Sequence, residues 1–285
     1  MRAALQKLKG GFRLICPPLL LPMITSAYRG VNRAGGFSGF LPSWEQAIAA
    51  AGSADGGYSQ VGILERVEQA TREVLAGRAA FERDSVLFAT SDYQFPLLAC
   101  LLRVAALNEG RLTVLDFGGA LGSTYHQCRP FFRGLRGIDW RVVEQPHYVA
   151  SGKRGFATPE LRFFGSIAEC CADKLPNVAL FSGVLQYLDD PLAQMAEVRR
   201  RGISLLVDRT PVHDGIEDRY SVQTVPSSIY SASLPIRVFG RDSIAGMAGP
   251  DYRLAASFDA VDERTVIGGT PVTFKGFFFE RLENE

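Results

Sequence analysis

The chain has little of what marks several protein classes. Of its 285 residues only five are cysteines (Cys16, Cys100, Cys128, Cys170 and Cys171), no two of them spaced C-x-x-C, and only three are histidines. That excludes a zinc module and a disulfide framework, and it leaves buried or free thiols of a reducing compartment, with no metal site expected. Excess charge is also missing: 31 basic side chains face 30 acidic ones, a net charge of +1. A dedicated nucleic-acid binder would carry a pronounced basic excess, so no nucleic-acid partner is expected. The apolar stretch "LICPPLLLPMI" (14–24) is far shorter than the about 20 residues that cross a bilayer. Pro17, Pro18 and Pro22 also interrupt it. Repeats and low-complexity tracts are absent, and 47% hydrophobic with 21% charged residues is an ordinary globular composition.

Acidic residues are missing altogether before Glu45, whereas Arg2, Lys7, Lys9, Arg13, Arg29 and Arg33 precede it. Residues 1–42 thus form a basic, apolar N-terminal arm. A docked irregular segment, peripheral contact with an anionic membrane surface and a cleaved leader are all compatible with this pattern.

Residues 43–110 read as a helical cap. Ser43 opens "SWEQAIAAA" as an N-cap with Gln46 at the third helical position. "ILERVEQATREVLAG" sets Ile63, Leu64, Val67, Val74 and Leu75 along one face and stops at Gly77. "FPLLACLLRVAAL" (95–107) reads as a buried helix. From Leu112 the rhythm changes to short apolar runs, "LTVLDF", "WRVVE", "LRFF", "VALFS" and "ISLLVD", separated by helical stretches. Such alternation predicts an α/β fold, a doubly wound and mostly parallel sheet with helices on both faces. After Asp208 it breaks: the Ser-, Tyr- and Pro-rich "VQTVPSSIYSASLPIRVF" (222–239) reads as irregular, and "YRLAASFD" and "TFKGFFFERL" as an edge hairpin.

The first of the parallel runs ends in "LDFGGALGS" (115–123), with Asp116 ahead of Gly118, Gly119 and Gly122. Strand interiors disfavour carboxylates and ordered glycine is entropically costly, so the pattern points to close approach of a ligand to bare backbone. A dinucleotide fingerprint needs G-x-G-x-x-G, and the spacing here fails it because Ala120 stands two positions after Gly118. The alternative, acidic-x-Gly-x-Gly-x-Gly, is met at three of its four marked positions, and Glu144 closes the second run 28 residues beyond Asp116.

This pattern resembles motif I of the class I S-adenosylmethionine-dependent methyltransferases, a Rossmann-like fold with a seven-stranded sheet. The chain is also similar along nearly its full length to a family of methyltransferase-like proteins often associated with bacterial surface-polysaccharide genes. "FERDSVLF" (81–88), "YQFPLLA" (93–99), "VVEQP" (142–146), "SGVLQYLDDP" (182–191), "DRTPVHDG" (208–215) and "FKGFFFER" (274–281) carry that similarity. The resemblance implies S-adenosyl-L-methionine as cofactor and residues 111–285 as the domain that binds it. Gly118, Gly119, Ala120 and Gly122 would meet its methionine part and ribose. Asp116 would hold the loop's amides near the methionine ammonium, and Glu144 would take both ribose hydroxyls in a fork. Ser166 and Ile167 would flank the adenine, Ser182 and Gly183 would offer backbone to the amino-acid end, and Arg83 would meet the cofactor carboxylate.

Methyl transfer to a hydroxyl calls for a base, and histidine is the first place to look. His213, with Asp214 beside it, follows the fifth run and is preferred over His126 and His147; Tyr187 joins them as a catalytic candidate. Asp208 and Arg209 would orient an acceptor, and Tyr220, Gln223 and Tyr230 would wall it in. The expected activity is O-methylation of a small-molecule or glycan acceptor in surface-polysaccharide biosynthesis, in a bacterial cytoplasm and near the membrane. A non-catalytic partner in glycan assembly and a dinucleotide-dependent nucleotide-sugar enzyme are the alternatives.

Overall fold

The computed structural model describes residues 36–52, 61–225, 232–260 and 264–282. The N-terminal arm up to residue 35, with Cys16, and Tyr230 therefore lie outside the described residues. In chain order the elements are β1 (Gly36–Phe37), α1 (Trp44–Ala51), α2 (Val61–Leu75), β2 (Phe81–Arg83), β3 (Val86–Phe88), α3 (Phe95–Leu107), β4 (Arg111–Phe117) and α4 (Ser123–Cys128). A 3-10 turn over Arg129–Phe132 leads to β5 (Gly137–Val143), α5 (Pro146–Gly155), β6 (Leu161–Phe164), α6 (Ile167–Cys170) and β7 (Val178–Ser182). A second 3-10 turn, Leu185–Tyr187, precedes α7 (Pro191–Arg199) and β8 (Ser204–His213). The chain closes with β9 (Arg219–Val225), β10 (Ala232–Gly240), α8 (Ser243–Ala248), β11 (Tyr252–Asp259), β12 (Thr265–Ile267) and β13 (Thr270–Arg281).

Five strands run parallel in the order β6-β5-β4-β7-β8, and β13 adds antiparallel to β8 with β11 outside it. These seven form the expected doubly wound, Rossmann-like layer. Alternation along the strands sends residues to opposite faces. Val114, Trp140 and Leu180 pack under α3, α4 and α5. Leu115, Ala179, Phe181 and Val207 pack on the other side against α6, α7 and α8. Arg141 of β5 is fully buried, yet its guanidinium is tied to Asp139 at 2.8 Å and Asp173 at 2.6 Å and to the carbonyls of Cys170 and Lys174. It fastens the strand to the end of α6.

Three expectations are corrected. The sheet has eleven strands among the described residues, because β8 runs five residues past β7 and pairs there with β10. Residues 222–225 and 232–239, read as irregular, lie in the β9–β10 antiparallel pair, which β1 extends. The cap is not wholly helical either: Phe81 pairs with Phe88 and Arg83 with Val86 in a hairpin, their aromatic ends stacked at 4.5 Å. Asp84 and Ser85 turn it with φ of 51° and 63°, the left-handed pair of a type I′ turn.

Candidate active site

The strand order reverses between β4 and β7, and ligands of doubly wound sheets bind outside the carboxyl ends of strands at such a point. The loops that leave these two strands touch. A Cβ at Gly118 (φ 73°) would lie 2.7 Å from a methyl of Val184, so bare backbone is required there. The next glycine sits over Asp116, whose carboxylate a Cβ at Gly119 would strike. Ala120 is itself left-handed (φ 49°), strain of about 1–2 kcal/mol that the absent middle glycine would have avoided.

Glu144 follows β5, the neighbour of β4, and comes to the same loop. Its Oε1 accepts the Ala120 N–H at 3.3 Å and its Oε2 the Gln145 N–H at 2.7 Å. A carboxylate has about four lone-pair sites, so both oxygens keep capacity for a diol. Burial raises its pKa, opposed by the two backbone donors. Asp116 does not hold the loop's amides as expected. It is 1% exposed, takes the indole N–H of Trp140 at 2.8 Å, and is pushed up to about 7, first by burial and then by the charge of Glu144.

A cleft of about 540 Å³, within the 300–1,000 Å³ of small-molecule sites, runs along these strand ends. Asp116, Gly118, Gly119, Ala120, Glu144, Ser166, Ser182, Gly183 and Tyr187 all line it, and so do Arg83, Ile167 and Arg209. Gly122 stands behind the loop, packed on Leu161. Ser166 is the N-cap of α6, accepting from Glu169 N–H at 3.1 Å. Ser182 Oγ donates to Asp208 at 3.3 Å, and Gly183 N–H to the Asp208 carbonyl at 2.9 Å. Tyr187 donates its hydroxyl to Gln223 Oε1 at 2.6 Å, which ties the cleft wall to β9. Arg209 occupies a bulge in β8 opposite Gly276, again left-handed (φ 53°), and reaches Asp84 of the hairpin at 3.0 Å.

The histidine expectation is overturned: none of the three lines the cleft. His213 is 3% exposed at the far end of β8, where Nδ1 accepts from Gly215 N–H at 3.0 Å and Nε2 meets the Glu217 carbonyl at 2.9 Å. Both ring nitrogens are consumed in holding a turn. Asp214 points outward at that turn and lies off the cleft. His126 is pushed down to about 4, chiefly by burial, and is also off the cleft.

Three buried polar side chains that sequence reasoning missed do line it: Glu82 of β2, Gln94 at the start of α3 and Gln127 of α4. Glu82 accepts from Ser123 Oγ and from Ser85 N–H at 3.1 Å. The signal was present in "FERDSVLF", two short runs flanking a two-residue polar turn.

No family model matches the chain, and no curated protein matches it. Several solved structures are distantly similar to it. The N-terminal domain of EvdMO1 with SAH and D-fucose has 16% identity over 79% of this chain and 100% of its own, with a TM-score of 0.42. The CcbJ methyltransferase from Streptomyces caelestis has 14% identity over 66% of this chain and 89% of its own, at 0.41. The mitomycin 7-O-methyltransferase MmcR has 20% identity over 76% and 67%, at 0.37. Likeness this distant carries no residue role across; the fold rests on the strand order itself.

Proposed function

We propose that the chain transfers a methyl group from S-adenosylmethionine to a hydroxyl of a sugar or glycan intermediate, in the assembly of a bacterial surface polysaccharide. The observation that carries this reading is the carboxylate of Glu144 standing on the amide of Ala120, inside a cleft built at the switch point of the sheet. The residues fit the cofactor. A carboxylate with spare lone pairs suits a ribose diol, and the Gly118–Gly119 backbone offers a surface on which no side chain stands.

When bound, the cofactor supplies an activated methyl on a sulfonium and a thioether leaving group. The protein's own part is orientation and exclusion of water. Glu144 would grip the ribose, and Gly165–Ile167 would bound the adenine. The Gly118–Ala120 and Ser182–Gly183 backbones would lie along the amino-acid tail, with Arg83 toward its carboxylate. Asp116 lies beneath the loop, held by the Trp140 indole and in contact with Gly119.

Isothermal titration with S-adenosylmethionine tests the reading. Micromolar binding by wild type, lost in Glu144→Ala and in Gly118→Val, is the expected result. No heat from wild type would refute it and favour a non-catalytic partner. Among the described residues no helix is long and apolar enough to cross a membrane. The basic arm is assigned to peripheral contact with the inner membrane surface, where a lipid-linked acceptor would reside. Equal retention of wild type and a chain starting at Ser43 on anionic liposomes would remove that part.

A further inference from the structure

We propose that Glu82, Gln94 and Gln127 form the acceptor subsite of the cleft, that they take a neutral ligand presenting two or more hydroxyls, and that Glu82 receives the proton of the hydroxyl being methylated. The inference rests on the methyl-transfer reading and deepens it.

The three side chains come from different elements but meet along one face of α4. Ser123 and Gln127 are four residues apart, hence neighbours on the same helical face. Ser123 donates to Glu82, and Gln127 Nε2 donates to the carbonyl of Asp92 at 2.6 Å, two residues before Gln94. Each of the three is more than nine-tenths buried, and each lines the cleft. Gln94 Oε1 is fully buried and has no partner among the described residues. A buried acceptor left unmade costs about 1–3 kcal/mol, so a group of this kind belongs to a site completed by a donor. With its amide nitrogen committed to Asp92, Gln127 offers its oxygen as well. A carboxylate and two amide oxygens favour a ligand rich in O–H donors and repel an anionic one.

Among the histidines and carboxylates, Glu82 is the one left for the proton. The histidines are off the cleft. Asp116 lies under the glycine loop and Glu144 is at the ribose. Glu197 is paired with Arg201 at 3.1 Å, and Asp84 with Arg209. The charged groups acting on Glu82 are Asp84, on its own hairpin, and Arg209 from β8; α4 presents Ser123 to it, and α2 brings the apolar Ile63 and Val67 to the cleft. Burial raises its pKa, which suits a proton acceptor. In the step, the acceptor oxygen forms a bond to the methyl carbon while the carbon–sulfur bond breaks. The sulfur keeps that electron pair as a neutral thioether, and the hydroxyl proton passes to the Glu82 carboxylate.

The test uses the full chain, S-adenosylmethionine, S-adenosylhomocysteine and a set of methyl pyranosides. Titration with S-adenosylmethionine comes first: failure of wild type to bind sinks the methyl-transfer reading itself. Expected is a Kd within threefold of wild type for Gln94→Leu and Glu82→Gln. With S-adenosylhomocysteine saturating, saturation-transfer NMR should detect pyranoside contact in wild type and lose it in Gln94→Leu. Release of S-adenosylhomocysteine on transfer to the bound pyranoside should rise with pH in wild type. In Glu82→Gln it should fall at least 100-fold and lose that rise. A tenfold loss of cofactor affinity in Gln94→Leu, or no pyranoside contact in wild type, overturns the acceptor assignment. Undiminished transfer by Glu82→Gln overturns the proton role.

Discussion

Asp116 carries a stability cost that a single substitution should expose. It is buried under the glycine loop, where desolvation pushes its pKa from 3.8 up to about 7 despite the hydrogen bond from Trp140. An unfolded chain releases this proton near pH 4, the folded protein only near 7. Stability is therefore fully present below the unfolded value and is lost as pH rises through the folded one. At about 1.4 kcal/mol for each pH unit the full loss is about 4 kcal/mol, of which about 2.5 kcal/mol falls between pH 5 and 8. Asp116→Asn retains an oxygen for the Trp140 indole and cannot ionise. Urea denaturation at pH 5 and pH 8 should then show wild type losing about 2.5 kcal/mol relative to Asp116→Asn. Trp140 is one of only two tryptophans, so in Trp44→Phe its emission reports the same titration, with a midpoint near 7. Parallel loss of stability in both proteins, or an emission midpoint below pH 5, would refute the reasoning.

Gly119→Ala should destabilise the protein by about 1–3 kcal/mol in thermal denaturation, because its methyl strikes the Asp116 carboxylate against a rigid strand. His213→Ala should leave titration with S-adenosylmethionine unchanged while lowering urea stability by about 1–3 kcal/mol, since it orphans the Gly215 amide and the Glu217 carbonyl. A lost cofactor response would return His213 to the site. Arg141→Leu should cost about 3–5 kcal/mol, read as a lowered Tm, because Asp139 and Asp173 lose the buried cation that joins them.

The doubly wound layer was legible because its signals are local. Runs such as "VALFS" and "LRFF" match β7 and β6 residue for residue, and Ser43 caps α1 through the Gln46 amide as its spacing predicts. The glycine loop and Glu144 were legible for the same reason: each ends a strand, and adjacent parallel strands bring their ends together. Much of what escaped depends on long-range pairing. Residues 222–239 carry Pro and Ser that read as loop, yet β10 finds partners in β9 and in the overhang of β8. Hairpin 81–88 was absorbed into a helical neighbourhood because its turn uses Asp and Ser where Gly would have announced it. His213 misled for a geometric reason: β8 outruns its neighbours, so the residue that follows the fifth run in sequence is carried past the cleft and into a turn.

Three of the carboxylates at the cleft are set apart by what surrounds each of them. Asp116 has a single indole donor and the deepest burial, and its proton is held up to near neutrality as a structural group. Glu144 is raised by burial, but two backbone donors oppose that rise and hold its oxygens in place to accept hydroxyls. Glu82 has a serine hydroxyl and one amide, with Asp84 raising and Arg209 lowering its pKa. The opposing pair is held there by three left-handed residues, Asp84, Ser85 and Arg209, each an expense the fold carries only where its surroundings enforce it. Backbone strain on both sides of an ion pair that spans the cleft fixes the charge facing Glu82. Environments that differ in this way let chemically similar groups divide binding and proton transfer between them.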